Sequence, residues 1–189
     1  MLFGCKRYLD VQPKDLKLAQ SVKDYEDLLN GEGWKKPLAT SGLEDLNFLE
    51  MMTDDVDQNL GLGAGDVRTR YSSFYVWRNV YEDDYLTGGL SQMNARIWQY
   101  LYKMANVCNI VINEIDQVKG NERERDFVKA EAYFTRAFVY YFILNIWGEP
   151  YDPATAATTK GVPIKLTNYA EFDGIPRSSV ADGYKQIIS

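Results

Sequence analysis

Between Met93 and Trp147 apolar side chains recur at steps of three and four residues, with one interruption at Gly120-Asn121. That is the period of an α-helix, and a strand cannot gather it on one face. In the first half Ile97, Leu101, Ala105, Cys108, Ile112 and Ile115 form the stripe, leaving Gln99, Lys103, Asn106 and Asn113 for other faces. A helix from about Met93 to Val118 follows. In the second half Glu122 and Glu124 suit the positive end of a new helix dipole. Phe127, Ala130, Phe134, Ala137, Phe138, Tyr141 and Leu144 then run on to Trp147, and Gly148-Glu149-Pro150 ends the pattern. Two helices of this length joined by a tight turn lie antiparallel, and Ala130 and Ala137 are expected to let the neighbour come close. The chain is therefore organised around a helical hairpin.

The flanking segments are shorter and less regular. Ser21-Val22-Lys23-Asp24 places a hydroxyl cap three residues before an acid, and Tyr25, Leu28 and Leu29 follow before Asn30-Gly31. A short capped helix is expected there. Residues 31–42 read as loop, and Leu43, Leu46 and Phe48 or Leu49 begin a helical stretch that ends near Asp54-Asp55. Three glycines between Gly61 and Gly65 prevent regular structure, and the aromatic-rich residues 71–85 fit an extended segment or a short helix equally well. Residues 151–176, rich in Thr, Ala, Gly and Pro, read as a long connection. Arg177-Ser178-Ser179-Val180 then caps a last helix with Tyr184, Ile187 and Ile188 on its inner side. Ala130-x-x-x-Phe134 matches a fragment of the tetratricopeptide pattern, in which a small residue receives the partner helix. The last helix reaches Ser189 with no partner in view, so the chain reads as the N-terminal part of a longer helical array, its last helix exposed and prone to associate.

Composition narrows the chemistry. There is no histidine, which removes Ser-His-Asp and Cys-His mechanisms and the commonest metal ligand. Two cysteines cannot complete a structural zinc site or a disulfide framework. A net charge of −6 repels phosphate backbones, so nucleic acid is not an expected partner. No apolar run reaches the roughly 18 residues of a membrane-spanning helix; the longest is Ala137 to Leu144. What remains is carboxylate chemistry, or binding without chemistry. Adjacent acids such as Asp54-Asp55 and Asp83-Asp84 point apart rather than at one glycosidic bond, so solvated turns are the expected reading. Asp54, Asp55 and Asp57 supply oxygen ligands without the glycine and distal glutamate of a calcium loop, and no metal site is assigned. Arg136 is expected to pair a carboxylate such as Glu131 or an acid on the neighbouring helix, and Cys108, on the inner stripe, to be an inert buried thiol.

The start of the chain, Leu2-Phe3-Gly4-Cys5, resembles a bacterial lipobox, with a large apolar residue three positions before the cysteine and a small one directly before it. Acylation there would tether the protein to a membrane, each buried methylene contributing about 0.8 kcal/mol. A charged and an apolar signal segment would have to precede these residues.

Taken in order, several segments resemble the SusD/RagB family of Bacteroidota outer-membrane lipoproteins. They are the Cys5-Lys6-Arg7-Tyr8-Leu9-Asp10-Val11 start, Met52-Thr53-Asp54-Asp55, Tyr75-x-Trp77-x-x-x-Tyr81 and Trp98-x-x-Leu101-Tyr102-x-x-x-Asn106. Ala130-Glu131-Ala132-Tyr133-Phe134-Thr135-Arg136-Ala137-Phe138, Trp147-Gly148-Glu149-Pro150-Tyr151, Gly161-Val162-Pro163-Ile164 and Arg177-Ser178-Ser179-Val180 complete the set. Thr135 departs from the leucine commonly found before that arginine, which would soften one core contact. The resemblance implies an all-α fold of tetratricopeptide-like helical hairpins with long irregular connections. It divides the chain into a lipoprotein tether over residues 1–20 and the N-terminal part of a SusD-like helical domain over 21–189, truncated before its C-terminal portion. It also implies a lipid anchor on Cys5 at the surface of the outer membrane, no enzymatic activity, no cofactor, and capture of a glycan or peptide for a SusC-like TonB-dependent transporter.

An oligosaccharide site needs flat rings against the C–H face of a sugar and polar groups at its edge. Residues 71–85 offer both: Trp77 and Tyr81 to stack, with Asn79, Asp83 and Asp84 as edge partners. Packing of Trp77 and Tyr81 on the hairpin is the competing reading, and Trp98, Tyr102 and Trp147 are expected in the core. The rival of another class is a helical-repeat scaffold that binds only protein, with the aromatic segment buried.

Overall fold

The computed structural model describes residues 19–34, 53–54, 89–169, 171 and 173–189. Among the described residues four α-helices carry the fold: α1 (Val22–Leu28), α2 (Gly89–Glu114), α3 (Glu122–Trp147) and α4 (Val180–Ile188). A two-stranded antiparallel sheet joins them, β1 (Lys160–Pro163) with β2 (Arg177–Ser179).

Helix α1 starts as its sequence requires. The Asp24 amide donates to Ser21 Oγ at 3.2 Å while the Ser21 amide donates to Asp24 Oδ2 at 3.0 Å, a reciprocal capping box. It does not stop at Asn30-Gly31. One widened turn carries Leu29–Gly33 further, and the Trp34 amide donates to the Leu29 carbonyl at 3.1 Å. Gly33 allows this, because a Cβ there would sit 2.7 Å from Leu29 Cδ1.

Helices α2 and α3 form the expected antiparallel hairpin, with α2 running from Gly89 rather than Met93. At its far end α2 tightens into a 3-10 turn, Ile115–Gln117. The Arg125 guanidinium donates to the carbonyl of half-buried Val118 at 2.9 Å, and Asn121 caps α3 through the Arg123 amide at 2.9 Å. All six residues of the α2 stripe are buried. They feed two core clusters: one around Leu101, Met104, Val139, Ile143 and Val162, the other around Leu29, Cys108, Val111, Ile115 and Ala132. Trp98, Tyr102 and Trp147 pack against the first cluster, the two indoles edge to face at 5.0 Å.

Apart from Leu144, which is buried in the first cluster, the face of α3 that meets α2 is not the one its sequence stripe singled out. Val128, Ala132, Thr135, Arg136, Val139, Tyr140 and Ile143 are buried there, whereas Phe127 and Phe134 are each 64% exposed and Phe138 and Tyr141 also face outward. Ala130 is exposed, so the close approach falls to Ala132 and Ala105, both nearly inaccessible, and the Ala130-x-x-x-Phe134 fragment does not receive α2. The reason is geometric: α3 carries apolar residues on two nearly opposite faces, and period alone does not say which one meets its partner. Thr135 is fully buried. Its hydroxyl donates to the Glu131 carbonyl one turn back at 2.8 Å, which satisfies the group that replaces an aliphatic side chain.

Residues 151–176, read from sequence as irregular, contain strand β1. Lys160 pairs with Ser179 and Pro163 with Arg177, with a register irregularity between them. Gly161 and Pro163 hide so short a strand from a periodicity reading. Gly161 is needed for close approach, since a Cβ would lie 2.7 Å from the Ser179 carbonyl oxygen. Arg177 donates from Nε to the Gly161 carbonyl and from Nη2 to that of Trp147, at 2.6 and 3.0 Å, tying the sheet to the end of α3. Ser179 then caps α4 through the Asp182 amide at 3.0 Å, as expected.

Helix α4 is not unpartnered. Gly183 is buried against Leu144 of α3, Tyr184 meets Tyr151 edge-on at 5.3 Å, and Ile187 packs on the first cluster. Only Ile188, 83% exposed, keeps the open apolar surface expected of the whole helix. Except for its last two residues, the tether segment 1–20 lies outside the described residues, as do the helical stretch expected after Leu43 and the 71–85 segment.

Replacing Gly161 by Ala is expected to push β1 off β2. Urea denaturation should register a loss of about 1–3 kcal/mol, together with faster amide exchange at Val162. Leu101→Ala, which opens a cavity in the first cluster, should cost about 2–5 kcal/mol by the same measurement.

Candidate functional site

Helices α2 and α3 hold the chain after β1 with side chains rather than with another strand. Tyr140 uses its hydroxyl twice on one residue, donating to the Lys165 carbonyl at 2.7 Å and accepting from the Lys165 amide at 2.8 Å. Asn109 Nδ2 donates to the Lys165 and Thr167 carbonyls at 2.9 and 3.2 Å, and Tyr102 donates to the Pro163 carbonyl at 2.7 Å. Asn113, one turn beyond Asn109, reaches the Leu166 carbonyl at 3.2 Å. An extended segment is thereby seated along the hairpin with its buried backbone groups paired.

Beneath it lies a polar seam. Arg136, 7% exposed, donates from Nη1 to Asn109 Oδ1 at 2.8 Å and rests over the Tyr133 ring at 5.2 Å. This corrects the expected carboxylate pair: the partner is the Asn109 amide, and no carboxylate among the described residues bonds the guanidinium. At the other end, Glu114 accepts from Tyr25 of α1 at 3.1 Å and from Asn168, so one carboxylate ties three segments together.

Burial shapes the ionisation of these groups. It raises the Tyr102 and Tyr140 phenols, and pushes the Cys108 thiol up to about 12, so Cys108 is the inert thiol its place on the stripe implied. Burial also raises Tyr25, to about 12, helped by its bond to Glu114. Desolvation lowers Arg136, which nevertheless stays a cation in water near neutrality. None of these shifts moves a group toward service as a base or nucleophile.

Of the residues singled out in the sequence, Trp77, Asn79, Tyr81, Asp83, Asp84 and Cys5 lie outside the described residues. Asp54 is exposed in a turn, as expected of a solvated acid, while Asp55 and Asp57 are not described. Asn109 and Tyr140 organise the seam and went unremarked in the sequence. The available signal was an asparagine between Cys108 and Ile112, where the inner stripe leaves no room for a solvated amide.

Asn109→Ala should leave the Arg136 guanidinium buried without its acceptor, costing about 3 kcal/mol in urea denaturation. In a double-mutant cycle with Arg136→Met the combined loss should fall short of the sum, and additivity would argue against the bridge. Stability should also decline in alkali. Above the ordinary thiol value of 9.0 the unfolded chain releases a proton that folded Cys108 keeps up to about 12. Unfolding is thus favoured by about 1.4 kcal/mol per pH unit from this one group. Cys108→Ala should flatten the decline between pH 9.0 and the ordinary phenol value of 10.0, above which Tyr25 adds its own share.

Comparison with known proteins agrees with this architecture. The profile of a SusD-like family, described as starch-binding and associating with the outer membrane, matches residues 7–189. The SusD-like protein P2 of Formosa agariphila is 24% identical over 108 residues, which is 57% of this chain and 19% of that protein. A SusD-like carbohydrate binding protein from Bacteroides vulgatus superposes with a TM-score of 0.64 at 23% identity, over 90% of this chain and 34% of its own. A SusD superfamily protein from Bacteroides fragilis gives 0.61 at 26%, over 89% and 37%. The chain therefore spans about a fifth of the curated relative and about a third of each solved structure. With the match running over nearly its whole length, and the helical hairpin shared with the solved structures, the chain belongs to the SusD-like family.

Proposed function

We propose that this chain is part of a surface-exposed lipoprotein that captures an oligosaccharide and delivers it to a SusC-like TonB-dependent transporter. The observation that carries the reading is the family match over residues 7–189, whose description joins starch binding to the outer membrane. The Bacteroides vulgatus relative, itself named a carbohydrate binding protein, supports the same ligand class.

The chemistry is capture without turnover. Trp77 and Tyr81 offer rings to the apolar face of a pyranose, and Asn79, Asp83 and Asp84 offer amide and carboxylate partners to its hydroxyls. The chain needs no cofactor for this and acts as no enzyme. Acylated Cys5 holds the domain at the outer leaflet, where a captured sugar is already next to its transporter. Because the chain spans about a third of its solved relatives, the rest of the ligand site belongs to residues outside it.

Calorimetric titration of the complete protein with malto-oligosaccharides and other glycans tests the ligand class. Saturable heat is expected, and Trp77→Ala and Tyr81→Ala should each weaken binding about tenfold. Heat from a peptide and from no saccharide would overturn the glycan reading in favour of peptide capture. Cys5→Ser should move the protein from the membrane fraction to the soluble one without altering sugar affinity, and co-purification with the transporter from membranes tests delivery.

A further inference from the structure

We draw no further inference here: the strongest candidate, the exposed apolar face of α3 carrying Phe127, Phe134 and Phe138, carries nothing because nothing in the structure shows what covers it.

Discussion

The contact on which the described structure turns is the bridge between Arg136 of α3 and Asn109 of α2. A guanidinium and an amide are both expensive to bury alone, so each is tolerated only because the other is in place. Asn109 then spends its two N–H groups on the carbonyls of Lys165 and Thr167, which fixes where the extended segment lies. That segment continues from β1, β1 pairs with β2, and β2 leads directly into the Ser179 cap of α4. The position of the last helix is therefore set by a polar pair in the middle of the hairpin.

Apolar packing alone would not achieve this. Leu101, Val111, Val139 and Ile143 drive α2 and α3 together, but aliphatic contacts tolerate sliding by a turn. Hydrogen bonds with fixed partners do not. Tyr140 shows the same principle at one residue: its hydroxyl is both donor and acceptor to Lys165, so only one position of the backbone satisfies it. Close approach sharpens the register further, because Ala132, Ala105 and Gly183 set how near their neighbours come.

The polar groups between α2 and α3 are committed to holding the scaffold together. The ionisable groups of the seam are tied into structure, and burial moves the Cys108 thiol and the Tyr102 and Tyr140 phenols away from reactivity.

How much could be read without coordinates differs from element to element, for physical reasons. The α2 stripe was legible because its apolar residues share a single face, and the caps at Ser21 and Ser179 were legible because capping is local chemistry between residues three apart. The orientation of α3 was not. Phe127, Phe134 and Phe138 are large and apolar, yet the face that meets α2 is the one carrying Ala132, Thr135, Val139 and Ile143, with Arg136 and Tyr140 paired to groups elsewhere in the chain. Strand β1 and the partner of Arg136 were hidden for a related reason: each is defined by a residue far away in the chain, Ser179 in one case and Asn109 in the other. Local periodicity and capping thus determined which segments are helical and, at Ser21 and Ser179, where they start, because those depend on neighbours in sequence. Which face is buried, which charge is paired and where the extended segment lies were decided only when distant segments met, because steric fit and hydrogen bonding across α2 and α3 have no counterpart in a linear chain.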